Sequence, residues 1–159
     1  MYWRRPLSRL EVAVYAAVAA VLAFVLLDRL LVYFEHAERA AFEVTLLRAQ
    51  SAMQTRLAYD ILRGQATDVA EWHTRNPFEL ARIKLGNFAG DFDPPGPLEL
   101  PPGAWAYDRG RRELVYAPRF RRGLALEGGG DTLRFRLELG EAGRWMPRLL
   151  PVVPYRWEP

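Results

Sequence analysis

The side chains in this sequence that could do chemistry are carboxylates and guanidinium groups. The chain has no cysteine and only two histidines, His36 and His73, which excludes thiolate nucleophiles and disulfides and argues against a multi-histidine zinc site. Asp91 and Asp93 are two acids without a third ligand, too few to predict a calcium site. The sequence contains no phosphate-binding loop, serine-hydrolase motif or metal-ligand spacing. We therefore expect no enzymatic activity, no cofactor and no metal.

Arginines dominate the second half of the chain. Of 22 basic residues, only Lys84 is a lysine, and residues 105–159 hold eleven arginines against seven acids. The densest group comprises Arg109, Arg111, Arg112, Arg119, Arg121 and Arg122. Together with neighbouring aromatic residues, such a group could bind DNA through phosphate contacts and base stacking. The alternative, which we favour, is a solvated hairpin whose aromatic side chains lie in the core.

The net charge of the protein is concentrated at its beginning. Residues 1–9 contain Arg4, Arg5 and Arg9 and no acid, and they account for the whole net charge of +3. This distribution does not favour a general nucleic-acid binder. Basic residues flank membrane spans on the cytoplasmic side, so we expect a cytoplasmic leader and, in a bacterium, a periplasmic portion over residues 35–159.

An apolar segment follows this leader. Residues 12–27 carry no charge, and the apolar pattern resumes after Asp28 and Arg29. A bilayer core needs about 20 apolar residues, so residues 10–34 predict a transmembrane segment anchored in the inner membrane. We expect Asp28 and Arg29 at the outer interface, the alternative being a charge pair against a partner helix within the bilayer. The other interpretations of the segment are a buried helix of a soluble protein and a cleaved signal peptide, although no small-residue cleavage site follows Leu27.

The absence of helix-breaking residues from positions 7–63 predicts one long helix. They contain neither glycine nor proline, the two strongest helix breakers, and Gly64 then offers a stop. Beyond the membrane segment the helix is predicted to be amphipathic. Its expected buried stripe is Ala37, Ala41, Val44, Leu47, Met53, Leu57 and Ile61, and its expected polar positions are Glu35, Glu38, Arg39, Glu43, Arg48, Arg56 and Asp60.

The remainder of the chain predicts short helices and then strands. Helical stretches are expected over residues 67–73 and 77–83, followed by an irregular Gly- and Pro-rich loop over residues 86–103. Strands are expected over residues 105–107, 113–118 and 132–139, with an extended tail from Pro147. These elements predict an α+β fold in which the long helix packs on a small antiparallel sheet.

Taken together, these features resemble the type IV pilin and pseudopilin family. The residues that carry the resemblance are Pro6-Leu7-Ser8-Arg9-Leu10-Glu11-Val12, Tyr33, Asn76-Pro77 with Leu80, Asn87-Phe88-Ala89-Gly90, Pro102 to Asp108, and Glu113-Leu114-Val115-Tyr116. The later motifs resemble the head of MSHA-type pseudopilins. The resemblance covers about 140 residues in order, and although each motif is weak alone, their succession is moderately specific.

The resemblance implies a role in assembly. It implies that Glu11 neutralises the N-terminal amine of a neighbouring subunit. The alternative for Glu11 is to cap its own helix near Arg4, Arg5 and Arg9. Pro6 stands where the family has the glycine required by its peptidase, so a processed filament subunit and a permanently anchored pilin-like protein both remain open.

The function implied is a minor, structural component of a type IV pilus or type II secretion pseudopilus. Its expected partners are the membrane, other pilins or pseudopilins, and assembly-platform proteins. The alternative is a DNA-capturing or adhesive minor pilin that uses the arginine group.

Overall fold

The fold begins with one long helix. The computed structural model describes residues 8–64, 72, 74–93, 99–140 and 146–158. Helix α1, Arg9–Leu62, runs for 54 residues without interruption, which corresponds to about 80 Å. It ends at Arg63, and Gly64 follows with φ +66°, a left-handed conformation that glycine adopts at little cost. The helix predicted from the absence of glycine and proline is confirmed.

The helix predicted over residues 77–83 is shorter in the structure. Helix α2 spans Pro77–Leu80, and the side chain of Asn76 caps it by accepting a hydrogen bond from Phe78 N at 2.9 Å. The chain leaves the helix at Arg82, which has φ +53°. Most of the helical stretch predicted over residues 67–73 lies outside the described residues, but Trp72 is helical and buried.

Five strands form the main sheet, in the order β1-β2-β3-β5-β6. Their bounds are β1 Phe88–Phe92, β2 Ala104–Asp108, β3 Glu113–Ala117, β5 Leu133–Leu139 and β6 Pro147–Pro151. The predicted antiparallel sheet is wrong at one edge, because β1 pairs with β2 in parallel while the other pairs are antiparallel. The prediction of an irregular loop over residues 86–103 is also wrong in part, because residues Phe88–Phe92 form strand β1. The fold is therefore α+β with a mixed sheet.

A separate two-stranded sheet lies at the end of the chain. Strand β4, Leu124–Leu126, pairs antiparallel with β7, Tyr155–Trp157. The tail that was predicted to be extended thus contributes strands to both sheets, since β6 also belongs to it.

The core lies between the second half of α1 and the sheets. The buried face of α1 comprises Glu35, Phe42, Ala49, Met53 and Leu57. The predicted stripe is therefore correct only at Met53 and Leu57, because Ala37, Ala41, Val44, Leu47 and Ile61 are exposed. The side of α1 that faces the sheets is the one that carries Phe42, whose ring fills the space between them. It is not the side that the predicted stripe occupies.

Candidate functional site

The first half of α1 presents an apolar surface that the described part of the chain leaves largely uncovered. Every residue from Ser8 to Leu31 is exposed. By length and composition α1 can cross a membrane, and none of its most apolar window is buried. Burying so many leucine, valine and phenylalanine side chains requires lipid or other chains. This surface is the first element of the candidate site.

Glu11 lies in the first turn of this helix and caps it. Its carboxylate accepts a hydrogen bond from Ser8 N at 2.7 Å, while Ser8 Oγ accepts one from Glu11 N at 3.2 Å. This reciprocal arrangement satisfies two of the amide groups that a helix start leaves unpaired. Arg9 is the first residue of α1, whereas Arg4 and Arg5 lie outside the described residues.

Two carboxylates of α1 bind the part of the chain that packs against the helix, at the point where the burial of α1 begins. We call the described residues between 35 and 158 the head. Glu35 is only 4% exposed, and it accepts hydrogen bonds from Gly123 N at 2.8 Å and from Trp157 Nε1 at 3.4 Å. Glu38 accepts from Tyr116 Oη at 2.7 Å. These contacts join residues more than 75 positions apart in the sequence. The helical pattern does not predict them, because it places both acids on the solvated side of the helix.

Glu38 also holds the chain that leaves β3. Its two carboxylate oxygens accept hydrogen bonds from Arg119 N at 2.6 Å and Phe120 N at 2.9 Å. Burial, together with the hydrogen bond to Glu38, raises the pKa of the Tyr116 hydroxyl, so this group stays protonated and donates. The two acids thus fix the backbone of residues 118–123, which we call the basic loop.

The six arginines of the sequence group do not form one patch. Strand β3 separates Arg109, Arg111 and Arg112 from the basic loop, and its five residues span about 17 Å. The basic loop lies beside the helix near Glu35 and Glu38, whereas the other three arginines lie at the opposite end of β3, in the turn between β2 and β3.

Arginines of the basic loop make exposed ion pairs. Arg122 Nη1 lies 3.7 Å from Asp28 Oδ1, and Arg121 Nη1 lies 2.7 Å from Asp131 Oδ1. The ring of Phe120 stacks on that of Phe34, with centroids 6.3 Å apart and an interplanar angle of 9°. Asp28, which was expected at the outer interface, therefore pairs with the head.

The turn between β2 and β3 carries a different arrangement. Arg109 pairs with Asp91 at 3.2 Å and with Asp93 at 3.6 Å, so a guanidinium occupies the space between these two acids. Arg111 and Arg112 form no ion pair with any residue that the structure describes. They line a cavity of about 260 Å³ together with Arg75, Tyr107 and Arg136.

Tyr107 also lines this cavity. Its pKa is raised by burial and, to a lesser extent, by the charge of Asp91. The hydroxyl is therefore protonated in neutral solution, and four guanidinium groups line the same space. Arg136 is paired with Glu113 at 2.7 Å, so Arg111 and Arg112 give this cavity, which we call the arginine pocket, the chemistry of an anion site.

No protein-family model matches the sequence, and neither the curated proteins nor the solved structures contain a match. The geometry of the described residues therefore stands without support from a relative. It consists of an exposed apolar helix, a head fixed to that helix by two acids, and two separate arginine groups.

Proposed function

We propose that this protein is a membrane-anchored, non-enzymatic assembly component of a type IV pilus or type II secretion pseudopilus. The observation that carries the proposal is helix α1. Residues 8–31, most of its first half, are exposed and mainly apolar, while its second half packs on the protein's own sheet. A rod of this kind associates with like helices through its apolar half and presents its folded head to partners. The resemblance of the motifs to pilins and pseudopilins supports the same function.

Cross-linking within the membrane tests this proposal. The chain has no cysteine, so single cysteines placed between residues 12 and 27 can be oxidised without background reaction. We expect disulfide-linked products in native membranes whose yield varies with a period of about 3.6 residues. If no position gives a product, or if the full-length chain fractionates as a soluble protein, the proposal is wrong.

Substitutions at Glu11 then separate charge pairing from capping. Glu11→Ala removes both the charge and the cap, whereas Glu11→Gln removes the charge and keeps a capping-box side chain. If Glu11 neutralises a neighbour's amine, both variants lose cross-linking between subunits. If Glu11 only caps its helix, Glu11→Gln cross-links like the unmodified chain. Mass spectrometry of the N-terminus decides the related question, because cleavage before Leu7 identifies a filament subunit and an intact Met1 a permanent anchor.

The arginine pocket favours a second candidate function, the capture of DNA. Arg111 and Arg112 are exposed and lie at the end of the head away from Asp28. We expect the full chain in discs of uncharged lipid to retard duplex DNA, and Arg111→Ala/Arg112→Ala to weaken that binding and flatten its dependence on salt. Arg148→Ala, which removes an exposed arginine from β6, is the control. The absence of salt-sensitive binding removes this candidate and leaves the assembly function unaffected.

A further inference from the structure

We propose that the basic loop, residues 118–123, rests on the membrane surface and binds the phosphate groups of anionic lipids. The inference rests on the proposed membrane anchoring and goes beyond it. It assigns to the head a second contact with the membrane, made by Arg119, Arg121 and Arg122.

The position of the loop along α1 is the first argument. Arg122 Nη1 lies 3.7 Å from Asp28 Oδ1, so the loop reaches down to residue 28 of the helix. The uncharged residues 12–27 span about 24 Å, and a hydrocarbon core of about 30 Å ends within a few residues of Asp28. A loop beside Asp28 therefore lies at the depth of the lipid headgroups.

The loop is also held rigidly at this depth. The amide groups of Arg119 and Phe120 donate to Glu38, and that of Gly123 donates to Glu35. Because the backbone is bound to the helix, the side chains of Arg119, Arg121 and Arg122 remain exposed. Little ordering free energy is lost when they meet a surface, since the loop is already fixed.

The chemistry of the loop fits a phosphate surface. Residues 118–123 hold three arginines and no acid, and guanidinium groups bind phosphate oxygens in pairs. The acids that face them are Glu38, whose oxygens accept from loop amide groups, and Asp28 and Asp131, in ion pairs whose partners are all exposed. Such pairs contribute little and leave most guanidinium donors free.

Aromatic and apolar groups accompany these arginines. Phe34 is 54% exposed and stacks on Phe120, and both rings line a groove of about 310 Å³ together with Arg119 and Glu38. Apolar rings beside basic side chains are typical of surfaces that insert at the boundary between headgroups and acyl chains.

Fluorescence quenching in lipid discs tests the inference on the full chain. A bimane dye is attached to Arg119→Cys in the basic loop, or to Arg111→Cys in the turn between β2 and β3 as the matched control. The discs contain phosphatidylcholine with or without phosphatidylglycerol, and a nitroxide on the headgroup acts as quencher. We expect quenching at position 119 and not at position 111. The quenching should increase with phosphatidylglycerol, and at about 1 M salt that increase should be lost because screening is then nearly complete.

Charge reversal supplies the second arm. Arg121→Glu/Arg122→Glu is expected to reduce the phosphatidylglycerol-dependent quenching at position 119 by about tenfold or more. Arg111→Glu/Arg112→Glu makes the same change of charge and is expected to leave it unchanged. Equal effects of the two pairs would indicate a general charge effect and overturn the inference.

A dye at Leu31→Cys distinguishes this inference from the membrane anchoring itself. Quenching at position 31 without quenching at position 119 overturns the inference and leaves the anchor in place. The absence of quenching at both positions contradicts the membrane anchoring, and with it the proposed function.

Discussion

Replacing Phe42 by alanine is expected to lower the free energy of unfolding of the head by about 3–5 kcal/mol. Phe42 is 2% exposed and projects from α1 into a cluster of rings. Its ring centroid lies 5.0 Å from that of Tyr116, 5.5 Å from those of Trp105 and Trp157, and 5.7 Å from that of Phe135. No neighbouring side chain can collapse into the space left, because the helix and both sheets border it. Denaturant unfolding of the full chain in lipid discs, followed by near-ultraviolet circular dichroism, measures the change.

Leu47→Ala is the matched control for Phe42→Ala. Leu47 lies on the same helix, is 68% exposed, and belongs to the face that sequence periodicity alone would have buried. Its truncation is expected to change the free energy of unfolding by at most about 0.5 kcal/mol. A larger loss for Leu47→Ala than for Phe42→Ala would mean that α1 docks through the other face.

Phe42 and Leu47 illustrate which property of α1 can be predicted from the sequence and which cannot. The length of the helix follows from the chain itself, because a run without glycine or proline has nothing to break it. The buried face does not follow, because α1 carries two apolar faces. One includes Ala37, Val44 and Leu47, and the other is centred on Phe42. Which of them is buried depends on the rings that the sheets supply, and those come from distant parts of the sequence.

The sheets show the same division. The alternation of Leu133, Phe135 and Leu137 predicted β5, whose side chains are buried in that pattern. Strand β1 was missed, because it lies in a segment rich in glycine, proline and aspartate. Its parallel pairing with β2 brings together Phe88 and Trp105, which is a tertiary contact without a local signal.

The candidate site was also predictable only where a local sequence pattern reveals it. The apolar half of α1 and the arginines are visible in the composition. The strand predicted over residues 113–118, which is observed as β3, lies between the two arginine groups and separates them. The roles of Glu35 and Glu38 depend on amide groups more than 80 residues away, and no helical pattern distinguishes them from a solvated acid such as Glu43.

Replacing Glu38 by alanine is expected to lower the free energy of unfolding of the head by about 3 kcal/mol. The substitution leaves the Tyr116 hydroxyl and the amide groups of Arg119 and Phe120 without the carboxylate that accepts their hydrogen bonds. Hydrogen exchange at residues 118–123 should increase together with this loss, because the basic loop is no longer held. Glu43→Ala, which breaks an exposed pair with Arg39, is the control and is expected to cost at most about 0.5 kcal/mol.

Tyr116→Phe removes only one of these three hydrogen bonds, and it is also expected to change how the stability of the head depends on pH. At neutral pH it is expected to cost about 1.5 kcal/mol. The pKa of Tyr116 is raised in the folded head, so its contribution is complete below about pH 10, the value of an exposed tyrosine. Above that pH the unfolded chain releases the proton while the folded head retains it, and stability falls. The alkaline loss should therefore be smaller in Tyr116→Phe, although the raised pKa values of Tyr107 and Tyr155 preserve part of it. An alkaline loss of the same size in Tyr116→Phe would show that Tyr116, whose pKa is raised by burial and by the bond to Glu38, does not contribute to this pH dependence.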